Sequence, residues 1–180
     1  MNEGLIPRRY AKALYKVGVE RKCADRLYTL MGNLAGAYMA DPALPRAIAN
    51  PFVPAADKSA LLATAAGATA EDSTFADFVK LLERNRRIDL AGEAALAYTR
   101  YYRLERGIRQ VTVTSAAPLP ADQLDRIRAI VKAHLHGGSM EFATATDPSL
   151  IGGFTVNIDN ERLDASVERQ LKELRQSLLN

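Results

Sequence analysis

A single cysteine, Cys23, stands in 180 residues. No intramolecular disulfide can form, so the fold rests on its core, and nothing points to an oxidising compartment. The only histidines are His134 and His136. A structural zinc site needs about four ligands, and neither a cysteine pair nor a carboxylate cluster is spaced beside these two. They read instead as polar residues at a helix C-terminus, where an imidazolium suits the dipole. Cys23 has no histidine near it in sequence and reads as a structural thiol, not a nucleophile. No window approaches the roughly 18 consecutive apolar residues that a membrane-spanning helix needs. The first twenty residues carry a polar helical pattern with Glu3 and Glu20, so neither a signal peptide nor an acid-poor transit peptide is expected.

Charge of one sign is also scarce. The net charge is +3, with 15 basic and 12 acidic residues in 1–105 and nine of each in 106–180. A dedicated nucleic-acid domain usually shows a stronger basic footprint, with aromatics interleaved on a strand surface. Hydrophobic residues make up 48% and charged residues 25%, the balance of a globular chain.

The first hundred residues show helical spacing. Ile6, Tyr10, Leu14 and Val17 recur at a helical period over 5–18. Asp25 is placed to cap a helix carrying Leu27, Leu30, Met31, Leu34, Tyr38 and Met39, which Asp41-Pro42 ends. A short helical turn near Leu44–Ile48 precedes Asn50-Pro51. Residues 55–66 are rich in Ala and Leu and stop at Gly67. Asp72 or Ser73 can cap a helix whose stripe is Phe75, Phe78, Val79, Leu81 and Leu82. A last helix over 88–106 carries Leu96, Tyr98, Tyr101, Tyr102 and Leu104 and closes at Gly107. Gly32 and Gly36, four apart, suggest close helix packing.

The period then changes. Residues 109–115 alternate and are β-branched, the pattern of a strand. Residues 121–135 return to helix with Leu124, Ile127, Val131 and Leu135, and Gly137-Gly138 stop it. Met140–Thr146 and Leu150–Ile158 read as strands joined by a tight Asp-Pro-Ser turn, and 163–178 as a final amphipathic helix with Leu171, Leu174 and Leu178. The fold class is α+β: an all-α domain over 1–105, then a small α+β domain over 107–180. Gly152-Gly153 lacks the spacing, the lysine and the following helix of a phosphate loop, and suggests a bulge or a close backbone approach.

Two features suit a partner better than a substrate. Ile6, Tyr10 and Leu14, with Ala11 and Ala13 between them, and the Phe75–Leu82 stripe either face a core or flank a groove for an amphipathic helix. Arg8, Lys12 and Lys16 line one helix face, and Arg84, Arg86 and Arg87 cluster around Asn85. Such clusters read as a solvated face and a helix C-terminal cap, or as docking residues for an acidic partner.

Four segments carry a family resemblance. They are Arg9-Tyr10-Ala11-Lys12-Ala13-Leu14-Tyr15, Phe78 to Arg87, Val113 to Leu119, and Asp147-Pro148-Ser149-Leu150-Ile151-Gly152-Gly153-Phe154 followed by Asp164-Ala165-Ser166-Val167. In this order and spacing the chain resembles the delta subunit of F-type ATP synthases, whose mitochondrial relative is the oligomycin-sensitivity-conferring protein. Tyr15 stands where phenylalanine is common, and the second helix lacks a tryptophan.

The resemblance implies a non-catalytic stator subunit, without cofactor or metal. It would tie the alpha/beta hexamer to the peripheral stalk so that rotor torque drives proton-coupled ATP synthesis. It implies an N-terminal six-helix bundle whose first and fifth helices hold the N-terminal helix of an alpha subunit. The residues concerned are Tyr10, Ala11, Leu14, Phe75, Phe78, Val79 and Leu82. It also implies a C-terminal domain meeting the stalk b subunits through Ile151, Gly152, Gly153, Phe154, Val167, Leu171 and Leu174. The beta subunits of the hexamer are further expected partners. Nucleic acid is not expected. Membrane association comes only through the complex, on the cytoplasmic face of the bacterial plasma membrane. The alternative is a helical nucleic-acid-binding or regulatory adaptor.

Overall fold

A computed structural model describes residues 4–135, 138–150, 152–159 and 161–166. The chain divides into two compact units between Glu105 and Arg106. Among the described residues the class is α+β.

The first unit is helical. Helix α1 is Leu5–Glu20, α2 Ala24–Ala40, α3 Ala43–Ala49, α4 Ala55–Ala66, α5 Ser73–Arg84 and α6 Ala91–Arg106, with a 3-10 turn at Ile88–Leu90 before α6. Pro7 lies in the first turn of α1, where no intrahelical N–H is needed. At the other end Lys22 takes the left-handed conformation (φ 55°), and the Cys23 N–H reaches back to the Gly18 carbonyl at 2.8 Å. That tight reversal brings α2 onto α1. A Cβ at Gly18 would lie 2.9 Å from Leu27 Cδ1 and 3.2 Å from Ala24 Cα, so the helices approach closely only because residue 18 has no side chain. Gly32 and Gly36 behave otherwise: a Cβ at either meets nothing within 4 Å, so the close packing expected of this pair is not found.

Leu27, Leu30, Met31 and Leu34 of α2 form the centre of the core with Leu62, Phe75, Leu82 and the alanine-rich side of α6. Asp25 stands in the first turn of α2 and not at its cap, which is Cys23. Its carboxylate accepts a hydrogen bond from the Tyr102 hydroxyl at 2.6 Å. Tyr28 stacks on Tyr102 with centroids 4.2 Å apart, and Tyr15 meets Tyr101 edge-on at 5.3 Å. The buried Tyr98 hydroxyl donates to the Ala24 carbonyl at 3.2 Å. These tyrosines supply bulk at the α1–α2–α6 junction, and their hydroxyls satisfy polar groups there.

The second unit is a four-stranded sheet with one described helix. Strand β1 is Arg109–Ser115, helix α7 Ala121–His134, strand β2 Met140–Thr146, β3 Gly153–Ile158 and β4 Glu161–Ser166. The strand order is β2-β1-β3-β4. Strands β1 and β2 are parallel, as a crossover through α7 allows, and the other pairs are antiparallel. β2 and β3 are therefore not partners. They flank β1, and the segment between them passes the end of β1, where the Asp147 N–H donates to the Ser115 carbonyl at 2.9 Å. Asp147 also accepts from the Ser149 N–H at 2.9 Å, the Asx geometry that starts the turn.

Register gives the sheet one apolar face: Met140 and Phe142 on β2, Val111 and Val113 on β1, Phe154, Val156 and Ile158 on β3, Leu163 on β4. Ile127 and Val131 of α7 pack against Val111, Val113 and Val156. The helix expected from residue 163 is corrected: residues 161–166 form β4, because alternating Leu163 pairs opposite Val156 on the apolar face. Residues 167–178 of that expected helix lie outside the described residues.

Candidate partner-binding site

Helices α1 and α5 lie side by side and leave a shallow cleft of about 200 Å³ on their outer surface. Its walls are Tyr10, Ala13, Leu14 and Val17 from α1 and Phe78 and Leu81 from α5, with Arg21, Thr74 and Asp77 at one end. The spacing explains the walls. Tyr10, Ala13, Leu14 and Val17 stand at i, i+3, i+4 and i+7, and so do Thr74, Asp77, Phe78 and Leu81, so each set forms one stripe.

The half-buried Tyr10 meets the Phe78 ring edge-on, centroids 6.4 Å apart at 74°. Asn85 Nδ2 donates to the Tyr10 hydroxyl at 2.9 Å and so fixes the ring from beyond the end of α5. At the far end Arg21 pairs with Asp77 at 3.0 Å and donates to Thr74 Oγ1 at 3.2 Å. The result is an apolar floor with a polar end, the form of a surface that accepts one face of an amphipathic helix.

The seven residues expected at this site divide between surface and core. Tyr10, Leu14 and Phe78 border the cleft. Ala11, Phe75, Val79 and Leu82 are 1%, 1%, 4% and 0% exposed and belong to the core beneath it. Ala13, Val17 and Leu81 line the cleft beside them and were not in that set. Each continues its stripe by one helical step toward solvent, which was the available signal.

The basic residues lie elsewhere. Arg8 and Lys12 face α6, bordering a separate cleft of about 430 Å³ with Ala97, Arg100, Tyr101 and Leu104. Arg84, Arg86 and Arg87 are exposed past the end of α5, where Arg86 takes the left-handed conformation (φ 55°) and the Arg87 N–H closes on the Leu82 carbonyl at 2.8 Å.

In the second unit Gly153 opens β3 with φ 78°, a conformation that a side chain would strain. A strand follows it and not a helix, so the glycine pair is backbone geometry. Phe154 lies on the apolar face. Ile151, Val167, Leu171 and Leu174 lie outside the described residues, as does His136. His134 stands in the last turn of α7.

The shifted ionisations trace to structure. The Arg26 guanidinium, 2.9 and 2.8 Å from the Asp72 carboxylate oxygens, holds that carboxyl well below the usual range, helped by the Thr69 N–H. Burial pushes the Tyr38 phenol up to about 12 and raises Tyr98 further. Cys23 Sγ is 3.5 Å from Thr74 Oγ1 and half-buried. Among the described residues no group of His, Cys, Asp and Glu is placed to hold a metal.

Residues 6–178 match the family model described as the ATP synthase delta (OSCP) subunit. An ATP synthase subunit delta of Bacteroides thetaiotaomicron is 36% identical over all of this chain and 97% of its own length. One from Dechloromonas aromatica is 34% identical over 97% of both. Among solved structures, a chain of the Toxoplasma gondii mitochondrial ATP synthase hexamer matches with a TM-score of 0.73, covering 98% of this chain and 99% of that one. At 18% identity that likeness speaks to the fold.

Proposed function

The chain belongs to the ATP synthase delta (OSCP) subunit family, and on that premise we propose how its two units serve the complex. It is a non-catalytic stator subunit of an F-type ATP synthase. The helical unit, read as a six-helix bundle, caps the alpha/beta hexamer and holds an alpha N-terminal helix in the α1–α5 cleft. The α+β unit meets the peripheral stalk b subunits, on the cytoplasmic face of the bacterial plasma membrane. Membrane association then comes through the complex; among the described residues no helix is long and apolar enough to cross a bilayer.

The observation that carries the alpha contact is the cleft itself. Tyr10, held by Asn85 and Phe78, is a pre-ordered aromatic anchor beside small Ala13. An ordered aromatic in an apolar cleft is the usual centre of a tight helix contact, because little side-chain entropy remains to be lost. The function is mechanical. Rotor torque would carry the hexamer round with it, and a stator opposes this through contacts that stay closed during turnover. Slow dissociation is what such a joint needs, and buried anchors set dissociation rates.

The adaptor alternative is not favoured, since the chain matches ATP synthase delta subunits over 97% and 95% of their own length. The test is a pull-down on this chain from detergent-solubilised membranes. Alpha, beta and b should co-purify, and Tyr10→Ala should lose alpha and beta while keeping b. Retention of all three by Tyr10→Ala would remove the cleft from the proposal.

A further inference from the structure

The basic stripe of α1 borders a cleft that the proposed alpha contact leaves unused. At helical spacing Arg8 and Lys12 fall on the side of α1 opposite Tyr10, Ala13 and Val17. Facing them on α6, Ala97, Arg100, Tyr101 and Leu104 stand at i, i+3, i+4 and i+7, and the two stripes enclose about 430 Å³. Buried Ala97 and half-buried Tyr101 make the base of this cleft. The Tyr101 ring is met edge-on by Tyr15 at 5.3 Å, and its hydroxyl donates to Glu105. Leu104, 76% exposed, stands at one bank.

Charge is the other half of the pattern. Arg8, Lys12 and Arg100 are exposed along the rim, and among the described residues no acid lines the cleft. Those three positive charges equal the net excess of the whole chain, which is +3. An apolar base with a cationic rim fits a ligand that is apolar on one side and anionic beside it. A helix with acids four residues apart meets that description. Neighbours at i and i+4 lie about 5–6 Å apart, the same step that separates Arg8 from Lys12. Small Ala97 at the base lets a helix come close. A nucleic acid would need free aromatic faces on which to stack, and the Tyr101 ring is engaged by Tyr15. A bilayer surface takes a broad apolar face, and this cleft offers one strongly exposed apolar side chain, Leu104.

We propose that the α1–α6 cleft docks an acidic amphipathic helix of a partner, its apolar stripe on Ala97, Tyr101 and Leu104 and its carboxylates on Arg8, Lys12 and Arg100. Helix α1 then serves two contacts, an apolar one on its α5 flank and a charge-guided one on its α6 flank. Naming another subunit of the complex as the source of that helix rests on the stator reading; the chemistry that the cleft selects does not.

The test uses the full-length chain and a synthetic helical peptide of about 18 residues, with a leucine stripe flanked by glutamates, read by fluorescence anisotropy in about 50 mM salt. The peptide should bind, and Arg100→Glu and Lys12→Glu should each weaken it roughly tenfold, an effect that fades in about 0.5 M salt. Leu104→Ser should weaken it by a similar factor that salt leaves in place. Circular dichroism should be unchanged in all three, since these side chains are exposed. Tyr10→Ala should leave this affinity alone. If Tyr10→Ala weakens binding and Arg100→Glu does not, the peptide sits between α1 and α5, and the present proposal falls while the alpha contact stands. The proposal also falls if the peptide does not bind, or if a scrambled peptide of the same composition, without a stripe, binds as well. It falls too if duplex DNA or phosphatidylglycerol vesicles compete through Arg100 where the peptide does not. In the assembled ATP synthase, a photoreactive maleimide on Leu104→Cys, in a chain with Cys23→Ser, should mark an acid-rich amphipathic segment of another subunit. Labelling of no subunit, or of a segment without acids, would overturn the assignment of the source.

Discussion

Truncating Tyr10 separates the two jobs that aromatic residues do in the helical unit. Tyr10→Ala removes the edge contact with Phe78 and the hydrogen bond from Asn85. An aromatic pair of this kind is worth about 0.5–1.5 kcal/mol, and an intramolecular hydrogen bond about the same, less where water can replace it. The fold should therefore lose about 1–2 kcal/mol, a fall in Tm of roughly 5–15 °C for a unit of this size. Binding loses more in relative terms. A central aromatic anchor typically costs about 2 kcal/mol or more when truncated, which is roughly thirtyfold in Kd.

The assay is calorimetric titration of the full-length chain with a peptide of the alpha N-terminus, with circular dichroism on each variant. Tyr10→Phe keeps the ring and loses only the bond from Asn85, so it should stay within a few fold of the parent. Leu82→Ala, at a position with no exposure, should cost about 2.7–5 kcal/mol of stability, and its affinity should fall only as its folded fraction falls. Lys12→Ala acts on the α6 side of α1 and should change little. A folded Tyr10→Ala with unchanged affinity would refute the reasoning, because the cleft would then lack its anchor.

Three further perturbations test the fold. Asp72 titrates below its unfolded value, so its contribution is complete above about pH 4, the ordinary carboxylate value, and is lost as pH falls through the lower folded pKa. Melts of Asp72→Asn should lie below the parent at pH 7, and the gap should close in acid; a gap independent of pH would count against the Arg26 pairing. Arg86→Gly should raise stability by about 1 kcal/mol, since a left-handed conformation costs an L-residue about that much and glycine nothing, as chemical denaturation would read. Gly92→Ala should destabilise, because the new Cβ would stand 2.5 Å from the Tyr38 ring; an unchanged Tm would mean that the ring moves aside freely.

What the sequence made legible follows from where each signal is stored. Helix limits are local. Gly67 ends α4 with φ 69° and Gly107 follows α6 with φ 60°, both readable from chain chemistry alone. The switch from helical to alternating spacing past Gly107 is local too, and β1 is found at the residues that alternate. Strand partnership is not local. The Asp-Pro-Ser turn correctly breaks the chain, yet whether its flanking strands pair or straddle β1 depends on the crossover through α7, which no spacing records. β4 stands where a helix is expected from residue 163 because this strand joins a charged leucine-rich segment, and helical propensity there competes with pairing to β3, which tertiary contact decides.

The candidate site shows the same division at finer grain. A stripe at three- and four-residue spacing marks the apolar side of a helix, but a helix wedged between neighbours has a buried centre and two flanks within that one side. On α5, Phe75 and Leu82 are the centre and Leu81 is a flank; on α1, Ala11 is the centre and Ala13 and Val17 are flanks. Size and hydrophobicity are alike at both, so composition cannot rank them. What ranks them is how far the neighbouring helices cover each position, which leaves Ala11, Phe75 and Leu82 buried and Ala13 and Leu81 exposed. The surface offered to a partner is therefore set by the packing of the core beneath it, and Phe78, 5% exposed yet on the cleft wall, belongs to both.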